Sequence, residues 1–170
     1  MASLMDSLFD VLEKETAEYE CLIALSSEKR RIIIDADIAG LEEITQREQD
    51  VINRILHLEN KREEITDDMA TVLSKDPKEL TITNMVAFLH KQPKEQERLR
   101  ELRDTLRTTL RQMEENNRQN DALLQQAMEM VEFDLMLFKS LRQAPATANY
   151  NNKAYNTGDI LPSRGFDAKQ

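Results

Sequence analysis

Residues 38–73 read IAGLEEITQREQDVINRILHLENKREEITDDMATVL, and the spacing of their apolar side chains decides the fold. Leu41, Ile44, Glu48, Val51, Ile55, Leu58, Arg62, Ile65, Met69 and Val72 follow one another by alternating threes and fours. Eight of these ten are apolar, which is the narrow seam of a coiled coil and not the broad face of a globular helix. A helix of this length extends roughly 50 Å, more than a compact globule of this size needs, so the expected shape is elongated. Asp35 or Asp37 can cap its start, and Asp76-Pro77 ends it, because proline disfavours helical geometry in the residue before it.

On the N-terminal side, Met5, Leu8, Leu12, Tyr19, Leu22, Ser26 and Ile33 form the stripe of a first long helix, widened by Phe9 and Ile23. Ser3 with Asp6 three residues on suits its start. Lys29, Arg30 and Arg31 suit the negative end of the helix dipole, as solvated charge or as a dock for an acidic partner. Beyond Pro77 a short helix is expected over Thr81–His90, capped by Thr81 or Thr83. Pro93 then opens a third long helix, as a first-turn proline with Glu95 and Glu97 behind it, ending near Arg142.

That third helix carries one apolar seam at first and two at the end. The first runs Leu99, Leu102, Leu106, Thr109, Met113, Asn116, Asn120, Leu123, Ala127, Met130, Asp134, Leu137 and Leu141. Past Asn120 a second appears one residue over, at Leu124, Met128, Val131, Leu135 and Phe138. Residues one apart lie about 100° apart around a helix, so this half asks for apolar neighbours on two sides. Those neighbours are either both other helices of a bundle or a partner chain. Asn117 and Asn120 mark the change as a polar layer, which fixes register at some cost in stability. Met128, Met130 and Met136 add the adaptable, polarizable side chains of a groove that accepts different apolar helices.

Charge orients the pairing. Glu59, Glu63, Glu64, Asp67 and Asp68 on the second helix face Arg98, Arg100, Arg103, Arg107 and Arg111 on the third if the two run antiparallel. Asp67 then meets Arg103 and Glu63 meets Arg107. In that register the 35–37 turn lies opposite residue 134, and the last turns of the third helix overhang the hairpin. The fold expected is all-α: an elongated antiparallel bundle or coiled coil of three long helices with a short connecting helix. Residues 1–143 make the bundle, and 144–170, rich in Asn, Ala, Thr, Gly, Pro and Ser, make a disordered tail.

Several function classes fall away. A net charge of −9 opposes nucleic-acid binding, which needs a basic surface. No stretch approaches the length of a spanning helix, and residues 1–10 lack the basic start of a signal peptide, so a cytoplasmic protein without membrane insertion is expected. The single cysteine, Cys21, excludes an internal disulfide and a Cys-rich zinc site. Neither His57 nor His90 has a Glu three residues before it, as a di-iron bundle requires, and three glycines build no phosphate loop. No enzyme, metal or cofactor is expected.

Three segments resemble a known family. Asp37-Ile-Ala-Gly-Leu-Glu-Glu-Ile-Thr-Gln-Arg-Glu-Gln49 resembles the opening of the second helix of the FlgN-type flagellar export chaperones. Asn117-Arg-Gln-Asn120-Asp-Ala-Leu-Leu124 resembles their Asn-x-x-Asn-x-x-Leu-Leu element. Tyr150-Asn-Asn-Lys-Ala154 with Ser163-Arg-Gly-Phe-Asp167 resembles their terminal Tyr-x-x-x-Gly stretch, and Tyr155 with Gly158 is an alternative match. The resemblance implies a chaperone that carries flagellar hook–filament junction proteins to the export gate. Cargo would bind along Leu124, Met128, Val131, Leu135, Phe138 and Leu141. Tyr150 or Tyr155 would contact the export-gate platform protein. The alternative is a structural coiled-coil adaptor that self-associates through the same seams; monomer and dimer both remain open.

Overall fold

The computed structural model describes residues 2–143, and among these there are helices and turns but no strand. Three long helices dominate: α1 (Ala2–Ile34), α2 (Ile38–Leu73) and α4 (Pro93–Gln143), with a short α3 (Ile82–Phe88) between the last two. The all-α bundle of three long helices with one short connecting helix is therefore the observed architecture. The chain divides into two compact units at Met130/Val131. The first holds α1 to α3 and α4 up to Met130, and the second begins with the remaining turns of α4.

Local chemistry sets each boundary. The α1–α2 turn puts Ala36 in the left-handed region at φ 52°, and Asp37 caps α2 by accepting from the Gly40 amide at 3.0 Å. A Cβ on residue 40 would lie 2.3 Å from the capping carboxylate, so a larger residue there would push the Asp37 side chain aside. At the other end Ser74 adopts φ 54°, and the amides of Ser74 and Lys75 bond back to Thr71 and Ala70, closing α2 with a left-handed cap. Asp76 caps a single 3-10 turn, Pro77–Glu79, and Thr81, not Thr83, caps α3. At the opposite end of the chain, α1 already includes Ala2, so Ser3 sits inside the helix and does not cap it.

Within the first unit α2 runs antiparallel to α1, as pairs Glu28–Arg47, Glu18–Arg54 and Glu15–Arg62 show. α4 runs parallel to α1, with Glu13 beside Arg98 and Ser26 beside Asn120. It is thus antiparallel to α2. The main core is built by Met5, Leu8, Phe9, Val11 and Leu12 of α1 against Ile65, Met69 and Ala70 of α2. Leu80, Met85 and Val86 of the connection and Leu99 and Leu106 of α4 complete it. A second cluster, Leu25, Ile44, Val51 and Ile55, belongs to α1 and α2 alone.

The α2 seam faces inward along nearly its whole length. Its two polar members are engaged: Glu48 accepts from Lys29 at 2.7 Å, and Arg62 donates to the buried Glu15 at 2.8 Å. Val72 is the exception and is exposed, because the helix closes one residue later and Met69 and Ala70 supply its last inward turn. The interhelix ion pairs expected from charge do not form. Arg103 bonds Asp104 on its own helix, Arg107 donates to Thr83, and Arg98 reaches Glu13 of α1. The connecting segment is the reason: Pro77 to Met85 folds between α2 and α4 and forms part of a cleft of about 700 Å³. Glu63 and Asp67 border this cleft together with Arg103 and Arg107, so the antiparallel register stands without the bonds. Lys29 and Arg30 are half-buried and bonded within the bundle, to Glu48 and Asn120, while Arg31 remains exposed.

Candidate protein-binding surface on the last long helix

The first apolar seam of α4 is the one that meets the bundle. Leu99 and Leu106 are buried, and so is Thr109, whose hydroxyl bonds back to the Thr105 carbonyl. Leu102 and Leu110 pack against the same core. Beyond Leu110 the anchoring becomes polar. Asn120, 4% exposed, donates from Nδ2 to the Ser26 carbonyl at 2.8 Å and to Ser26 Oγ at 2.9 Å. Its Oδ1 accepts from Arg30 Nε at 3.3 Å, and a second arginine nitrogen donates to Gln119. Asn117 is exposed and borders a small cavity of about 210 Å³ with Leu22, Lys29, Glu48 and Ile52.

From here the seams part. Leu123, Leu124 and Ala127 are half-buried, while Met128 is 53% exposed. Every residue from Met128 to Gln143 is exposed, including Val131, Leu135, Phe138 and Leu141 of the expected cargo surface. Phe133, Met136 and Leu137 join them, so apolar side chains occupy more than one face of these turns. A helix apolar over so much of its circumference is ordinarily buried. Phe133 lies on neither seam, and a seam-based reading misses it. The signal that finds it is density: nine large apolar residues fall between Met128 and Leu141. Tyr150 and Tyr155 lie outside the described residues.

Two ionisable groups at least partly buried in the α1–α2 interface have shifted proton affinities. Burial pushes the Glu15 carboxyl above its ordinary value, against the opposing hydrogen bond and charge of Arg62. Burial, reinforced by the nearby Glu59 carboxylate, pushes the Tyr19 phenol up to about 12; its hydroxyl donates to Glu59 at 3.2 Å. Both groups serve packing. Cys21, His57 and His90 are all exposed. Among the described residues no three His, Cys, Asp or Glu side chains are grouped to hold a metal ion. No helix there is long and apolar enough to cross a membrane.

A long-helix bundle whose last helix leaves a dense apolar run uncovered has the form of a protein-binding module. The family model described as FlgN protein matches residues 1–158. The chain belongs to the FlgN family, a family of flagellar export chaperones and not of enzymes. No curated protein and no solved structure matches it.

Proposed function

We propose that this protein is a cytoplasmic chaperone for flagellar hook–filament junction proteins, which it holds unassembled and delivers to the flagellar type III export gate. The cargo's terminal amphipathic helix would lie along Leu124, Met128, Val131, Leu135, Phe138 and Leu141 in a helix-in-groove mode. Covering that helix would keep the cargo from polymerising early. Tyr150 or Tyr155 would then engage the export-gate platform protein. Asn117 and Asn120 would form the polar layer that sets the register of α4 below the cargo surface.

The observation that carries this reading is the uncovered apolar run of α4, with Met136 69% and Phe138 66% exposed. Contiguous apolar surface on a soluble protein marks an interaction site. Family membership supplies the class of partner.

Calorimetric titration of the full chain with terminal-helix peptides of junction proteins tests it. Binding at micromolar peptide, reduced about tenfold or more by Phe138→Asp, is expected, since one charge in an apolar contact exceeds the ~1.4 kcal/mol of a tenfold change. Absence of binding would reject the cargo assignment. A stable dimer in sedimentation, dissociating only with unfolding, would favour the self-associating adaptor instead.

A further inference from the structure

The first turns of α2 carry an apolar surface that is only partly covered: Leu41 packs in part against the second core cluster, while Ile38 and Thr45 are exposed. Ile38, Leu41 and Thr45 line an open depression of about 500 Å³, rimmed by Glu42, Gln46 and Gln49. All six are α2 residues. Ile38 is 77% exposed, next to the tight turn that joins α1 and α2.

The heptad geometry says which way this surface looks. On α2, residues 38, 45, 52 and 59 fall on one line, seven apart. Glu59 borders the cleft that Leu106 and Leu110 of α4 also border, and Ile52 borders the small cavity shared with Asn117 and Asn120. The line through Ile38 and Thr45 is therefore the α4-facing side of α2. On α4, Leu110 and Asn117 look toward α2, and Leu124 lies one further heptad along. The helices are antiparallel, and Ile52 lies level with Asn117. One heptad on, Thr45 is level with Leu124, and Leu41 with Met128. Yet the lining of the depression includes no α4 side chain. Leu124 is half-buried, Met128 is exposed, and the second core cluster has no α4 member. By this register the two apolar stretches lie on the facing sides of α2 and α4 within the first unit, with no α4 side chain against the α2 depression.

Charge identifies the occupant. Between Ile38 and Gln46 the α2 wall holds Glu42 and Glu43 and no basic residue; between Gln119 and Met130 the α4 wall holds Asp121 and Glu129 and no basic residue. Of the cations that flank these walls, Arg47 pairs with Glu28 and Arg118 with Glu115, and Arg31 of α1 is exposed. A second copy of this groove would bring carboxylates against carboxylates, which opposes self-pairing. We infer that the groove between Ile38–Thr45 of α2 and Leu124–Met128 of α4 seats a partner's amphipathic helix whose apolar stripe is flanked by lysine or arginine. The inference rests on the chaperone reading and deepens it: cargo is gripped by two helices, not by α4 alone, and by charge as well as burial.

The test uses the full chain and a terminal-helix peptide of a junction protein. Ile38→Asp places a carboxylate in the first turn of α2, where it suits the helix dipole, so the fold is kept and can be checked by circular dichroism. The groove predicts peptide binding weakened about tenfold or more by Ile38→Asp, the equivalent of ~1.4 kcal/mol. It also predicts a cross-link to the peptide from a photoreactive phenylalanine analogue at position 45. Replacing the peptide's flanking Lys and Arg by Gln should weaken binding and flatten its salt dependence. Loss of binding with Phe138→Asp, but wild-type binding with Ile38→Asp and no cross-link from position 45, overturns the groove and leaves the chaperone assignment standing. Unchanged binding of the Gln-substituted peptide overturns the charge requirement. No binding by the wild-type chain overturns both readings.

Discussion

The two ends of α4 are made from similar residues and have opposite surroundings. Near Leu99 and Leu106, leucines from one helix meet side chains from three other segments and vanish from solvent. Near Leu137 and Leu141, leucines of the same seam stand in water. Leucine content does not distinguish the two. What differs is the presence of a connection: Leu80, Met85 and Val86 reach α4 only at its N-terminal end. A seam read from sequence states that a helix has an apolar side, but not whether the same chain supplies the cover.

The sharpest way to break this contrast is to truncate one side chain at each end of α4. Leu99→Ala, in the fully enclosed core, should lower unfolding free energy by about 2–5 kcal/mol, through lost transfer energy and the cavity left behind. Phe138→Ala should change it by no more than about 0.5 kcal/mol, although a larger side chain is removed. Urea denaturation of both variants measures the difference, and a large loss from Phe138→Ala would show that this run is part of the fold's own core.

A smaller effect separates the two asparagines. Asn120→Ala removes the donor to Ser26 and the acceptor for Arg30, and should cost about 1–3 kcal/mol, since buried partners are left unsatisfied. Asn117→Ala, at an exposed position, should fall within about 0.5 kcal/mol of wild type. Equal losses from the two variants would mean that the layer acts as a unit. Next in size, Asp37→Ala should cost about 1 kcal/mol by uncapping α2. That change should leave the exposed end of α4 unaltered.

The last prediction concerns pH. Tyr19 holds its proton in the folded state to about 12, against an ordinary value of 10.0 for the free phenol. Between those values the native state binds more protons than the unfolded chain, so its stability falls as pH rises through the window. Tyr19→Phe should flatten the alkaline limb of a stability–pH profile, and an unchanged limb would place the cause elsewhere. Glu15 behaves alike at the acid end: with its carboxyl raised by burial, stability from this group is greatest below the ordinary carboxylate value and declines as pH rises through the folded one.

Much of this was legible in advance, because periodicity and capping are local. The α2 seam, the first-turn proline of α4 and the Asp37 cap all follow from residues within a few positions of each other. The antiparallel direction of α2 and α4 was legible too, although the ion pairs that suggested it do not form. Beyond the Ser3 cap and Val72, the failures come from packing between segments far apart in the chain. Glu15 belongs to the core because Arg62 arrives from α2 to meet it. Arg98 turns to α1 because α1 lies alongside, with Phe9 offering its ring face 4.6 Å from the guanidinium. The choice between the two seams of α4 was also non-local, since either face is apolar enough to be covered. For the tail tyrosines, Tyr150 and Tyr155, the sequence resemblance is the whole basis.

The exposure of every residue from Met128 to Gln143 also bears on descent. No side chain there is held by a volume that the rest of the described chain must match, so substitutions are not filtered by folding. A lineage that duplicated this gene could drift at Leu135, Phe138 or Leu141 one residue at a time, each intermediate folding as well as its parent. New specificities would then be reached by single steps across the surface, while Leu8, Ile44 and Leu99 stay fixed. Folding constrains Leu8, Ile44 and Leu99, whereas binding alone would constrain Leu135, Phe138 and Leu141.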